Sequence, residues 1–272
     1  VIVDATDPDT EEQALEQAAA VVRAGKVVVL PTDTVYGVGA DAFDRVAVAM
    51  VLAAKHRGRE MPPPVLVPST RTVDGLATDP PMYAKILIRA FWPGALTIVV
   101  RAQPTLDWDL GETNGTVALR MPDDLLTLKL LSEVGPMAVT SANVTGQPPA
   151  TTAQEAQDQL GGAVSLYLDG GTRAESLAST IVDCTGEEPV VLRHGAIPAD
   201  RLREVLGTTV LHDAPPATGS PDASDDPADT PAEGPGGSVG RIDPLSVTGI
   251  RPSGLPVPAG GLQIVAAPDS LQ

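Results

Sequence analysis

The chain has 272 residues, a formal net charge of −17, 43% hydrophobic residues and only 3% aromatics, so it holds one large domain or two small ones around a core of Val, Leu, Ala and Ile. Its acidity argues against broad electrostatic binding to nucleic acid or anionic membrane, although a local basic patch stays open. Its one cysteine, Cys184, excludes an intrachain disulfide and a thiolate metal cluster. No apolar run reaches bilayer length. The N-terminus carries no basic region or signal-peptide core, and a cytoplasmic protein is expected.

In chain order, Val1 to Val3 reads as a short strand and Thr10 to Ala24 as an Ala-rich helix with early acids, stopped at Gly25. Val27 to Leu30 is a continuous apolar run and predicts a buried strand. Arg45 to Ala54 has helical apolar spacing; Pro64 to Pro68 is a short strand, and Pro81 to Ala90 a helix ending near F-W-P-G. Leu96 to Arg101 and Thr116 to Arg120 are strands, Leu125 to Val134 is a helix closed by Gly135, and Met137 to Thr140 is a strand running into Ser141-Ala142-Asn143. Thr152 to Leu160 is a helix, followed by strands near Ser165 to Leu168, Ser179 to Asp183 and Val190 to Arg193. This irregular alternation predicts an α/β fold, a twisted mixed parallel/antiparallel sheet with helices on its faces. Composition changes near Leu211, and the Pro-, Ala-, Gly- and Asp-rich remainder cannot offset its ordering entropy by burial. The expected division is a folded domain over 1–211 and a disordered tail over 212–272.

Polar clusters sit at the ends of the strands. After Leu30 the chain turns at once to Pro31, Thr32, Asp33, Thr34, Tyr36 and Gly37, and Lys55 and Arg57 follow the next helix. Hydroxyls, a carboxylate and glycines at the end of a buried strand are how an α/β sheet presents a site to a small molecule, and with the two cations they suggest a pocket for an anionic ligand. Arg120 ends one strand before Pro122, Ser141 and Asn143 end another, Ser179 and Thr180 begin a third, and Arg193 ends a fourth. Each piece also has a structural explanation: P-T-D-T and S-A-N as turns or caps, K-x-R as complement to a helix dipole. Cys184, in the apolar stretch I-V-D-C-T, reads as a small core residue.

Taken together, P-T-D-T-V-Y-G, the K-x-R of Lys55 and Arg57, F-W-P-G-A-L-T from Phe91 to Thr97, V-A-L-R-M-P, the S-x-N of Ser141 and Asn143, S-T-I-V-D and L-R-H-G resemble the YrdC family of threonylcarbamoyl-AMP synthases, from about Pro8 to Leu206. The resemblance implies a YrdC-like sheet with a concave basic cavity. It implies a nucleotidyltransferase that converts L-threonine, bicarbonate or CO2, and ATP into threonylcarbamoyl-AMP and pyrophosphate. The product serves N6-threonylcarbamoyladenosine formation in ANN-decoding tRNAs and passes to the tRNA threonylcarbamoyl-transfer machinery. Carried over by motif, Thr34, Arg120, Ser141 and Ser179 hold L-threonine, and Arg57, Asn143, Thr151 and Arg193 hold the nucleotide. Lys55 and Arg57 are the expected catalytic cations near the phosphates or the carbamate, with Thr32, Tyr36 and Arg59 as further site candidates. No protein-held metal is expected; Mg2+ arrives with ATP. No G-x-x-x-x-G-K-[ST] loop is present, which argues against a P-loop mode.

Two departures stand out. Members often carry K-x-R-x-x-x-K-P-L and a His on the next strand, where this chain has Met61 and Leu66; Arg59 is the candidate to replace the missing charge. Larger members carry a second α/β domain, and the polar region after Leu211 resembles the single-domain type instead. The competing readings are a double-stranded RNA or tRNA-binding protein of the same fold, binding RNA weakly, and a paralogue that kept the fold and lost the activity.

Overall fold

The computed structural model describes residues 1–174 and 177–215. The tail expected over 212–272 therefore lies, from residue 216 onward, outside the described residues. The strands are β1 (Ile2–Asp4), β2 (Val28–Leu30), β3 (Gly37–Asp41), β4 (Val65–Leu66), β5 (Leu96–Arg101), β6 (Thr116–Arg120), β7 (Met137–Ser141), β8 (Leu166–Asp169), β9 (Thr180–Asp183), β10 (Val190–Arg193) and β11 (His212–Asp213). The helices are α1 (Pro8–Arg23), α2 (Arg45–Ala54), α3 (Val73–Leu76), α4 (Met82–Phe91), α5 (Leu125–Val134), α6 (Ala153–Leu160) and α7 (Ala199–Leu206). Four helices start on a side chain that accepts backbone N–H groups: Asp7 for α1, Asp44 for α2, Asp124 for α5 and Thr152 for α6.

The strands form one mixed sheet in the order β1-β8-β2-β3-β7-β4-β6-β5-β9-β10-β11. Its two edges are joined by an antiparallel centre, in which β3 pairs with both β2 and β7, and β7 pairs with β4. β2 is covered on both faces, which explains its unbroken apolar run. Val28 and Leu30 pack with Leu15 and Ala18 of α1 and Leu130 of α5. Val29 packs on the opposite side with Ala47 and Val51 of α2 and Ala156 of α6. A third cluster places Leu87 and Ile88 of α4 and Leu202 and Leu206 of α7 against Ile98, Leu119 and Val182 of the other half-sheet. Each such Val, Leu or Ile side chain contributes about 1.5–3 kcal/mol by leaving water. No described helix is long and apolar enough to cross a membrane.

β3 and α7 were not anticipated as elements. Gly37 and Gly39 both lie in β3 opposite β7. The reason for glycine is close approach: a Cβ on either would come within 2.5 Å of a Val139 methyl. α7 has only eight residues, four of them charged, and its core contact rests on Leu202 and Leu206. Pairing continues two residues past Leu211, where β11 joins β10 in parallel.

Cys184 is 1% exposed, and burial, aided by nearby Asp183, pushes its thiol up to about 12. It should resist iodoacetamide in the native protein and react on unfolding, as mass spectrometry would show. Gly39→Ala would also meet the Ala138 carbonyl at 2.7 Å, while the position of Gly162 is open. Gly39→Ala is expected to cost about 1–3 kcal/mol in chemical denaturation, and Gly162→Ala close to nothing.

Candidate active site

The strand ends surround a cavity of about 760 Å³. Its described lining includes Lys55, Arg57, Arg120 and Arg193 but no Asp or Glu, so a basic pocket sits inside a chain of net charge −17. A cleft with low-dielectric walls and one sign of charge concentrates counter-ions. Ten of the expected site residues line it: Thr32, Thr34, Tyr36, Lys55, Arg57, Arg120, Ser141, Asn143, Ser179 and Arg193.

On one side, the chain leaving β2 folds the Thr32–Thr34 segment into a tight turn. The Thr32 hydroxyl donates to the Val35 carbonyl at 2.6 Å and accepts from the Thr34 N–H at 3.2 Å. Arg120, at the end of β6, reaches this turn. Its Nη2 donates to Asp33 Oδ1 at 2.5 Å, its Nη1 to Thr34 Oγ1 at 3.2 Å, and its Nε to the Gly94 carbonyl at 3.1 Å. Gly94 follows the cis Trp92–Pro93 bond and donates its own N–H to the Met121 carbonyl, so the F-W-P-G turn braces the arginine from behind. Burial lowers the Arg120 pKa, and Asp33 opposes that shift. A guanidinium stays charged under such a shift. These three bonds leave two of its five N–H groups for a ligand, a fork suited to a carboxylate.

Across the cavity, Lys55 caps the C-terminus of α2 and His56 turns the chain through φ 54°. Lys55 is 3% exposed, and its Nζ donates to the carbonyls of Ser141 and Asn143 at 2.6 and 2.7 Å. Arg57 donates to Thr140 Oγ1 at 3.1 Å. Thus the K-x-R and S-x-N patterns form one assembly rather than two independent caps.

Ser179 forms a third assembly. Its carbonyl accepts from Arg193 Nε and Nη2 at 3.1 and 2.8 Å, and its hydroxyl lies 2.8 Å from Thr97 Oγ1. Gly195 rests on this segment so closely that a Cβ would come within 2.3 Å of the Ala178 carbonyl. That contact explains the glycine in L-R-H-G. Tyr36 is buried at the cavity floor, where its hydroxyl donates to the Gly171 carbonyl at 2.7 Å. Burial, then Asp169, raises its pKa, so it remains a neutral phenol.

Two expected residues lie elsewhere. Thr151 is not among the lining residues, and its N–H and hydroxyl both donate to Glu155, at 2.7 and 3.0 Å. Arg59 is also outside the lining; it pairs at 2.7 Å with Asp109, its side chain 56% exposed. Met61 and Leu66 do line the cavity, together with Pro62 to Pro64, so this wall is apolar and Arg59 supplies no charge to it. The sequence placed Asp33 in the polar cluster after β2 without a partner and gave no role to Thr97 or Arg173. The first two stand inside quoted motifs. Arg173 has no motif: it pairs with Asp124 at 2.8 Å and lies over the Tyr36 ring at 5.7 Å.

The Asp33 and Arg120 side chains are 14% and 8% exposed, so their pairing is a buried one. Asp33→Ala would leave a buried guanidinium without its carboxylate, and thermal or urea unfolding should show a loss of about 3–5 kcal/mol. Arg59→Ala should leave the unfolding transition unmoved.

The Sua5_yciO_yrdC family profile, described as "Telomere recombination", matches residues 20–195, more than half of the chain. A Mycobacterium tuberculosis protein named "Putative threonylcarbamoyl-AMP synthase" is 53% identical over 204 residues, covering 75% of this chain and 94% of its own. The threonylcarbamoyl-AMP synthase of Bacillus subtilis is 38% identical over 208 residues, 75% of this chain and 60% of that longer protein. Among solved structures, Sua5 of P. abyssi complexed with L-threonine superposes with a TM-score of 0.74 at 34% identity, covering 78% of this chain and 62% of that one. E. coli YciO superposes with a TM-score of 0.66 at 24% identity, over 74% of this chain and 97% of that one, which shows the shared fold. The chain belongs to the Sua5/YciO/YrdC family.

Proposed function

We propose that this protein is a threonylcarbamoyl-AMP synthase that joins L-threonine, bicarbonate or CO2, and ATP, releasing pyrophosphate, in the cytoplasm. The observation that carries this reading is the cavity: four cations and no described carboxylate on its wall, with a braced arginine fork on one side. The kinship with synthases supports it. The product supplies the threonylcarbamoyl group of N6-threonylcarbamoyladenosine and passes to the machinery that loads ANN-decoding tRNAs.

The chemistry asks for what such a wall supplies. The threonine amine attacks the carbon of CO2, forming a C–N bond and losing a proton to give a carbamate. A carbamate oxygen then attacks the α-phosphorus of ATP, and the bond to the bridging β-phosphate oxygen breaks. Two anions meet in that step, so cations placed beforehand lower the barrier more than a protein nucleophile would. Arg120, with the Thr34, Ser141 and Ser179 hydroxyls, holds the amino acid. Arg57, Arg193 and the Asn143 turn face the nucleotide, and Lys55 adds its charge to that end. Thr151 and Arg59 are left without a contact. No group of three or more described His, Cys, Asp or Glu residues is placed to hold a metal. These residues do not make a metal site, and magnesium belongs to the substrate, as MgATP.

The folded unit responsible is taken to end after β11, with the remaining residues as a tail. A chain cut after Pro215 should keep the melting temperature and turnover of the full chain, and a clear drop in either contradicts that division. Pyrophosphate release should need L-threonine and bicarbonate together; release at the same rate without either, or none at all, contradicts the assignment. Arg120→Ala should weaken threonine use by roughly thirty- to a thousand-fold, the loss of a charged hydrogen bond of about 2–4 kcal/mol, with a smaller effect on ATP. Arg57→Ala should do the reverse.

A further inference from the structure

Lys55 Nζ has three N–H groups to give. One turn places four acceptors of the described residues around it: the Ser141 carbonyl at 2.6 Å, the Asn143 carbonyl at 2.7 Å, Asn143 Oδ1 at 3.2 Å and Ser141 Oγ at 3.4 Å. The contact is reciprocal, because Thr145 donates its N–H and its hydroxyl to the Lys55 carbonyl at 3.2 and 2.9 Å. Asn143, 1% exposed, spends both amide N–H groups on the Val144 and Gln147 carbonyls, at 3.1 and 2.7 Å. What it has left is an acceptor oxygen, which a phosphate repels.

We infer that Lys55 and Asn143 are positioning residues for the reaction: together they fix the turn after β7, which then presents the Ser141 hydroxyl and the turn backbone to the substrates. Charge and burial support this division of labour. A buried ammonium needs fixed acceptors close by, and two carbonyls within 2.7 Å supply them. The ammonium in turn cancels the repulsion that converging carbonyl dipoles would feel. Removing it takes away the described donor to the Asn143 carbonyl and leaves the Ser141 carbonyl to the Asn143 N–H at 3.0 Å, so the turn relaxes, and both substrate subsites relax with it. A lysine serving only as a phosphate ligand would affect nucleotide binding alone.

This inference rests on the synthase reading for its consequence, but its structural half is tested without substrate. In the full-length protein, Lys55→Met is expected to speed amide hydrogen exchange across residues 142–147 by about tenfold or more, with α1 unchanged. The same variant should weaken L-threonine binding without nucleotide by at least about tenfold in calorimetry. Lys55→Arg, which keeps the charge but cannot seat a planar fork among these acceptors, should show both effects and serves as the second variant if Lys55→Met does not fold. Unchanged exchange in the turn, or unchanged threonine affinity beside a loss confined to ATP, overturns the proposal. Wild-type protein that releases no pyrophosphate overturns the synthase reading instead, and leaves the exchange result standing by itself.

Discussion

The buried pair between Arg120 and Asp33 is the constraint around which the site is arranged. A guanidinium 8% exposed would cost several kcal/mol without a partner, and Asp33 supplies one at 2.5 Å. The pair also connects three parts of the chain that are far apart in sequence: the turn leaving β2, the cis-proline turn before β5, and the end of β6. The remaining N–H groups of the fork are therefore oriented before any substrate arrives, and little reorganisation is needed when a carboxylate binds.

The charge distribution follows the same logic at larger scale. The chain carries a net charge of −17, while the described cavity wall carries four cations and no carboxylate. Those cations are held by polar groups: Lys55 by two carbonyls, Arg57 by the Thr140 hydroxyl, Arg193 by the Ser179 carbonyl, and Arg120 by Asp33. Anionic substrates then meet a positive field at the cavity.

Much of this was legible in the chain. β2 announced itself because it is covered on both faces, and the longer helices because their apolar spacing matches a packed stripe. β3 was hidden because its glycines answer to the Val139 side chain across the sheet, a contact no local pattern reveals. α7 was hidden because two leucines among charged residues make a weak periodic signal. The site residues converged as the motifs suggested, except where a short-range partner intervened. Thr151 closes on Glu155 at the start of α6, and Arg59 on Asp109, and both pairings depend on loop geometry that spacing does not encode. Lys55 was visible as a cation near the site, but its four acceptors lie more than eighty residues away in sequence, so its place in the turn could come only from the fold.

The central claim is that the Arg120 fork, braced by Asp33, recognises the carboxylate of the amino acid. Its most direct test is calorimetric binding of L-threonine against L-threonine amide, which keeps the side chain and amine but lacks the anionic carboxylate. The result expected is a loss of roughly thirtyfold or more for the amide in wild-type protein, and little difference between the two ligands in Arg120→Ala. Equal affinity of wild-type protein for acid and amide would contradict it.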